Sequence, residues 1–573
     1  MKVSDYIADF LYAQGVNCVF EVVGGMITHL VDSLNRQGEI QIVSVHHEQA
    51  AAFAAEAMAR IVSVPGVAMA TSGPGATNLL TGIGSCYFDS IPAVFITGQV
   101  NLKEQKGNRS IRQLGFQETD IVSMAAPITK AVWRVQSPED VPLILEQAFT
   151  CALSGRPGPV LIDIPMDVQR AEIAAKIPVK VSGAGAEECD SQEIDEMLTD
   201  LRISKRPLIL AGGGIRSARA ANLFIKFVDQ VKVPVVNSLM AVDVLPYDHH
   251  LRVGLIGTYG NRWANLAIGR ADFLLVLGSR LDIRQTGSDT DAFKGNRKIY
   301  HVDCEVGEIN NRIKGCNAIL AHLRLFLSEA LKSSAGNTFL ERIGWLDEIA
   351  ELRRLWPDTK ELDGTHGINP NKFMHQLSRA SGQATAFTID VGQHQMWAAQ
   401  SLELNRTQRF LTTGGMGAMG FALPAAVGVA IVNPDEPVVM IAGDGGFQIN
   451  IQELQTIVHH HLPVKMIILN NKCYGMVRQF QQSYFDERYQ STLWGYSAPD
   501  FVQVARAYGI AGQTVKSPVE VQPALEAMWL DPKAPFILQV MIDTFTNVYP
   551  KNAFGRPITE MEPFVKPIEM EGT

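Results

Sequence analysis

Apolar residues fall in short unbroken stretches along most of the chain, and segments of helical period separate them. A stretch of four to seven apolar residues bounded by polar or glycine positions reads as a strand buried on both faces. Such stretches occur at 19–23, 41–45, 67–71, 93–97 and 160–164. A second group lies at 208–211, 233–236, 273–277 and 298–302, and a third at 385–389, 438–442, 464–469 and 536–542. Strands alternating with helices imply parallel sheets covered on both faces. The expected fold class is α/β, with three doubly wound parallel-sheet domains and no tandem sequence repeat. Polar connectors around 171–192 and 333–371 divide the groups, the second with a helix expected over 339–355. The expected domains are 1–175, 190–332 and 366–545, with a tail at 546–573.

Composition narrows the class. Over 573 residues, 46% are hydrophobic and 19% charged, as in a globular protein of several domains. A net charge of −9 argues against nucleic acid or an anionic membrane as partner. The seven cysteines, Cys18, Cys86, Cys151, Cys189, Cys304, Cys316 and Cys473, have no metal-site spacing, and their odd number does not make a disulfide framework. Reduced thiols in a cytoplasmic protein are expected. Residues 1–10 contain Asp5 and Asp9 and read as an amphipathic helix, not a signal or transit peptide. No apolar stretch is long enough to span a membrane.

Two motifs carry the chemistry. Gly443-Asp444-Gly445 follows the stretch at 438–442, and Asn470-Asn471 follows the one at 464–469. Each therefore sits at a strand end, where open α/β sheets bind ligands. A carboxylate and an amide oxygen suit Mg²⁺, a hard cation that shares its shell with substrate phosphates. A tight turn and a polar loop would account for the same residues singly. Glu48 follows the stretch at 41–45 and heads an alanine-rich helix. A buried Glu can hold a proton at neutral pH and share it with a ring nitrogen. A helix N-terminus would also favour its charge.

The pairing resembles the diphosphate-binding motif of thiamine diphosphate enzymes. The wider series is Thr71-Ser72-Gly73-Pro74-Gly75-Ala76-Thr77-Asn78, Asp89-Ser90-Ile91-Pro92, Phe116-Gln117-Glu118, Gly392-Gln393-His394-Gln395 and Gly414-Gly415-Met416-Gly417-Ala418-Met419-Gly420. In this order the series resembles the catalytic large subunits of the acetolactate synthase family over nearly the whole chain. The resemblance implies a pyrimidine-binding first domain, a central domain and a diphosphate-binding third domain. It implies Mg²⁺ on Asp444, Asn471 and the Cys473 carbonyl, and Glu48 on the pyrimidine ring. It places Gln393 and His394 on the diphosphate, the Gly417 carbonyl on the exocyclic amine, and Met419 as the wedge that bends the cofactor. A methionine filling a core gap is the plainer account of Met419. Asn78, Gly445, Gly446, Gly475 and Met476 complete the cofactor's surroundings. Phe116, Gln117 and Gly25 would face the substrate. Active sites between the first domain of one chain and the third of another imply a homodimer or homotetramer.

The resemblance also implies FAD, with no net redox role, in the central domain. Gly212, Gly213, Arg280 and Asp303 stand at strand ends there, although such glycines also serve ordinary strand-to-helix turns. Departures from the family pattern cluster elsewhere. Thr258-Tyr259 replaces Met-His, Leu281-Asp282-Ile283-Arg284 replaces Phe-Asp-Asp-Arg, and Phe480 replaces a tryptophan of the acceptor pocket. Arg284 would hold an acceptor carboxylate. These changes favour a carboligase that decarboxylates pyruvate and passes the acetyl unit to an aldehyde, ketone or keto-sugar. Acetolactate synthase itself, with pyruvate as acceptor, is the alternative. A non-catalytic regulatory homologue is disfavoured because Glu48, Asp444 and Asn471 are all present.

Overall fold

The structure is a computed structural model that describes residues 1–62, 64–174, 178–181 and 190–568. Part of the expected connector at 171–192, Cys189 and the last five residues of the tail lie outside the described residues.

Three six-stranded, all-parallel sheets account for the apolar stretches. The first runs, edge to edge, Gln41–Ser44, Cys18–Val22, Gly66–Ala70, Ala93–Gln99, Pro159–Pro165, Ala131–Arg134. The third runs Arg409–Leu411, Ala386–Ile389, Val438–Gly443, Val464–Asn470, Phe536–Met541, Ala511–Val515. Numbered within its own sheet, each has the order 2-1-3-4-6-5, so the first and third sheets share one topology. The central sheet runs Asn317–Leu320, Lys298–Asp303, Phe273–Leu277, Pro207–Ala211, Val235–Asn237, Arg252–Leu255. Its order is 3-2-1-4-5-6 read from the other edge, the arrangement of dinucleotide-binding sheets. Interior strands such as Gly66–Ala70, Phe273–Leu277, Val438–Gly443 and Val464–Asn470 are buried along their length, which is why their sequences are largely apolar runs.

The first and third sheets share one apolar core. The helices Glu48–Ile61 and Ala422–Val432 pass each other so closely that a Cβ on Gly428 would lie 2.1 Å from the Ala54 carbonyl oxygen. A Cβ on Gly82 would lie 2.2 Å from the Ala52 methyl. The small residues of these helices are thus dictated by backbone approach. Phe53 and Phe421 close the contact edge to face, 5.5 Å between centroids.

The tail crosses back over the molecule. Residues Lys551–Asn552 pair antiparallel with Met561–Glu562, and the buried Lys551 ammonium meets Glu562 at 2.9 Å. Arg262 donates to the Glu562 carbonyl at 2.9 Å, with its guanidinium against the rings of both Trp356 and Phe564, which pack on each other at 5.2 Å. Among the described residues no helix is long and apolar enough to cross a membrane. The six described cysteines are unpaired.

Candidate functional site

In the third sheet the strand order reverses between Ala386–Ile389 and Val438–Gly443, and the polar residues gather at that point. Gln393 and His394 begin the helix after the first of these strands, and Asp444 begins the helix after the second. Asn471 follows the neighbouring strand Val464–Asn470. Asn471 donates its amide to Gln393 Oε1 at 2.9 Å, and its own oxygen accepts the Cys473 N–H at 3.2 Å. Gln393 is anchored in turn on the Thr546 carbonyl at 3.0 Å.

Glycine is required around this point. A Cβ on Gly475 would stand 1.9 Å from Gln393 Oε1, one on Gly445 2.4 Å from the Tyr474 ring, and one on Gly446 2.6 Å from Asp390 Oδ1. The Met476 side chain packs beside the third-domain core. The Cys473 thiol faces the Thr544 carbonyl at 3.6 Å, and burial pushes it up to about 11, so it offers no thiolate.

Asp444 is 2% exposed and its Oδ2 has no hydrogen-bond partner among the described residues. Burial pushes its carboxyl up to about 7, against the lowering effect of neighbouring donors. His394 is buried, its Nε2 has no partner among the described residues, and burial pushes it down to about 3, so the ring is neutral. An orphaned carboxylate oxygen and an amide oxygen side, at the head of a parallel sheet, fit a divalent cation that carries a phosphate ligand. The donor set fits Mg²⁺ with a diphosphate.

In the first sheet, Glu48 is the first residue of its helix and Asn78 closes the short helix Pro74–Asn78. Asn78 Nδ2 donates to Glu48 Oε2 at 2.8 Å. Glu48 Oε1 lies 3.2 Å from the place a Cβ on Gly75 would occupy, so glycine leaves that oxygen open. Gly24 backs on Thr71, which accepts the Met26 N–H at 3.3 Å, and Gly25 is exposed at the start of a 3-10 turn. Gln117 has φ +64°, a strained backbone for a residue with a side chain, and packs on Gly73. The neighbouring Phe116 is 78% exposed.

The loop at 414–420 runs between the first and third sheets. Gly417 and Gly420 have φ of +65° and +85°, and Met419 is half-buried. Two residues without an assigned role hold this loop. Asp390 accepts the N–H groups of Gly420 at 2.9 Å and Ala422 at 3.0 Å, and Asp89 accepts those of Gly414 at 2.9 Å and Gly415 at 2.8 Å. Asp390 was visible only as a lone carboxylate after the stretch at 385–389, and Asp89 only as a member of Asp-Ser-Ile-Pro.

In the central sheet the reversal falls between Pro207–Ala211 and Phe273–Leu277. A cavity of about 750 Å³ opens there, lined among others by Gly213, Arg280, Arg284 and Asp303. A Cβ on Gly212 would stand 2.1 Å from the Gly278 carbonyl oxygen, so the two turns touch through backbone. The departures meet nearby. The Thr258 N–H donates to the Arg284 carbonyl at 2.7 Å, and the Asn552 N–H of the tail donates to the Thr258 carbonyl at 2.6 Å. Phe480 packs on Tyr484 at 4.8 Å, and Tyr484 meets Phe554 of the tail at 6.2 Å.

Three family models match the chain. They are the N-terminal TPP binding domain of thiamine pyrophosphate enzymes at residues 1–124, the central domain at 194–330, and the C-terminal TPP binding domain at 390–540. The chain is 37% identical to the acetolactate synthase isozyme 2 large subunit of Escherichia coli K12, over 98% of this chain and 99% of that one. It is 34% identical to the acetolactate synthase large subunit of Lactococcus lactis, over 97% and 95%. A probable acetolactate synthase large subunit of Methanocaldococcus jannaschii is 36% identical, over 100% and 96%.

Proposed function

The chain belongs to the thiamine diphosphate enzymes, and within them to the acetolactate synthase large-subunit family, and on that premise we propose that it condenses two molecules of pyruvate to acetolactate and carbon dioxide. The observation that carries this reading is Asp444, a buried carboxylate with an orphaned oxygen, beside Asn471 at the head of a parallel sheet. The relatives' names weigh for pyruvate as acceptor and against the other carbonyl compounds that the sequence departures suggested.

Asp444, Asn471 and the Cys473 carbonyl would hold Mg²⁺, and Gln393, His394, Gly445, Gly446, Gly475 and Met476 would surround the diphosphate. When bound, thiamine diphosphate would supply the electron sink that decarboxylation of a 2-oxo acid needs. The protein's share is positioning and proton transfer. Glu48, steadied by Asn78 on Oε2, would exchange a proton between Oε1 and the pyrimidine ring. The Gly417 carbonyl would accept a hydrogen bond from the cofactor's exocyclic amine, and Met419 would pack against the cofactor beside it. The neutral His394 donates or accepts one hydrogen bond without adding charge. Gly25, Phe116 and Gln117 would cover the substrate from the first domain of a second chain, which makes a dimer the smallest active form. Arg284 would take the acceptor carboxylate by paired hydrogen bonds.

FAD is proposed for the central cavity. Its strand order, the backbone contact of Gly212 with Gly278, and the positions of Gly213, Arg280 and Asp303 support it. Denatured, purified protein would release a flavin absorbance in about one equivalent per chain.

A second reading keeps a bulkier acceptor. It is favoured by the convergence of Thr258, Arg284 and Asn552, and of Phe480, Tyr484 and Phe554. The deciding experiment is product analysis by mass, with pyruvate alone and with pyruvate plus aldehydes, ketones and keto-sugars. Acetolactate from pyruvate alone, at a rate no added acceptor exceeds, is the expected result. A faster reaction with another acceptor would replace it with the second reading.

A further inference from the structure

The loop at 414–420 has four glycines, two of them in left-handed conformations, and little side chain with which to order itself. Its order comes from outside. Asp390 holds its far end through the Gly420 and Ala422 N–H groups. Asp89, from the first domain, holds its near end through both the Gly414 and Gly415 N–H groups. Bonds from backbone N–H to an ionised carboxylate are shorter and stronger than neutral ones. Between the clamps stand Met416, Gly417, Ala418 and Met419, and a Cβ at 417 would meet nothing within 4 Å.

Asp89 is itself fixed. Its side chain is 2% exposed, and Arg60 reaches its Oδ2 at 3.3 Å. Arg60 also pairs with the buried Glu56 and donates to the Thr412 carbonyl at 2.7 Å. Thr412 lies two residues before the loop, so the same ion cluster grips the chain on both sides of its entry. The fit leaves no slack. A Cβ on Gly415 would fall 2.5 Å from the Phe88 Cβ and 3.2 Å from Asp89 Oδ1, and one on Gly414 would fall 2.7 Å from the Met240 sulfur.

We propose that Asp89 is a positioning residue for cofactor activation: with Asp390 it stretches 414–420 between two carboxylates, so that the Gly417 carbonyl and Met419 are held where the bent cofactor needs them. The proposal rests on the thiamine diphosphate roles proposed above for Gly417 and Met419. It assigns to Asp89 an effect on proton transfer at the cofactor's C2, beyond the packing of two domains. A small displacement of a positioning element far from the reacting atoms costs about a hundredfold in rate.

The test compares wild type with Asp89→Asn and Gly415→Ala. The first replaces one accepting oxygen by an NH₂ group that faces a backbone N–H. The second pushes the loop off Asp89 and leaves the carboxylate in place. Deuterium uptake by peptides spanning 412–421, without cofactor, should quicken about tenfold or more in both variants. With thiamine diphosphate and Mg²⁺, affinity by calorimetry should stay within about threefold. C2 proton exchange of the bound cofactor should slow about tenfold to a hundredfold. C2 exchange at the wild-type rate in both variants would overturn the proposal. So would a loss of melting temperature and cofactor affinity with C2 exchange per bound cofactor intact, which marks a domain-packing residue. If Asp89→Asn yields no folded protein, Gly415→Ala decides alone by the same criteria. Wild-type protein that does not accelerate C2 exchange would bring down the cofactor reading, and this proposal with it. Accelerated wild-type exchange with unaffected variants brings down this proposal alone.

Discussion

Asn78 donates its side-chain amide to Glu48 Oε2 at 2.8 Å, and glycine at position 75 leaves Oε1 open. The two carboxyl oxygens of Glu48 are thereby made unequal by the fold. One is committed to the protein and the other is free for a ligand.

Glu48→Gln should keep the fold, because a glutamine oxygen can accept the Asn78 bond as before. It should lose proton transfer to the pyrimidine ring, because an amide cannot give up a proton as a carboxylic acid does. C2 exchange of bound thiamine diphosphate should fall by about 10²–10⁴. Near-wild-type exchange in the variant would remove Glu48 from this role.

The three sheets were legible where strands are interior and, apart from Gln41–Ser44, opaque at the rims. Within the three sheets, five strands have no counterpart among the apolar stretches: Ala131–Arg134, Arg252–Leu255, Asn317–Leu320, Arg409–Leu411 and Ala511–Val515. All five are edge strands. Residues 317–320 are mostly exposed and 511–515 alternate, so no continuous apolar run marks them. Arg252–Leu255 is buried, yet it carries an arginine and a glycine that break its run. The site divides in the same way. Asp444, Asn471 and Glu48 stand out because each is a polar group within three positions of the end of an apolar stretch. The duties of Asp89 and Asp390 are to backbone N–H groups 30 to 326 positions away, and sequence alone does not display those partners. The meeting of Thr258 with Asn552 was hidden for the same reason.

Asp444→Ala should remove the divalent cation and, with it, the anchor of the diphosphate. Alanine also removes a buried carboxyl whose Oδ2 has no partner, so the metal-free protein should be no less stable than wild type. Calorimetry with thiamine diphosphate and Mg²⁺ should show affinity falling by two orders of magnitude or more, about 3 kcal/mol. Unchanged affinity would reduce the motif to a turn.

His375 lies between two carboxylates, with Nδ1 2.8 Å from Glu403 and Nε2 2.8 Å from Asp358. Burial opposes its charge, but the hydrogen bonds and charges of Asp358 and Glu403 outweigh burial and raise its pKa. A pKa raised by folding adds stability that is complete below the unfolded value, near 6.5, and fades as pH rises through the folded value. His375→Gln should therefore cost about 1–3 kcal/mol at pH 5.5 and distinctly less at pH 9. Denaturant melts at the two pH values give the comparison. An equal cost at both would show that packing, not charge, holds this residue.

On the proposed function, Phe480 and Arg284 would decide what the second substrate can be. Phe480 is 39% exposed, so its ring has a free face, and Tyr484 and Phe554 stand behind it. Phe480→Trp adds volume on that free face. A larger side chain in a confined pocket excludes the larger partner first. Loss of carbon dioxide from pyruvate without an added acceptor should change little, because that step precedes acceptor entry. Condensation with a second pyruvate should fall less than about threefold, and condensation with any bulkier carbonyl compound by about tenfold or more. Arg284→Lys should raise KM for pyruvate as acceptor, since an ammonium cannot hold a carboxylate with two parallel bonds, and should spare acceptors that have no carboxylate. If Arg284→Lys leaves acetolactate formation untouched while Phe480→Trp abolishes it, the acceptor is held by shape and not by its carboxylate, and pyruvate is not the partner this pocket selects.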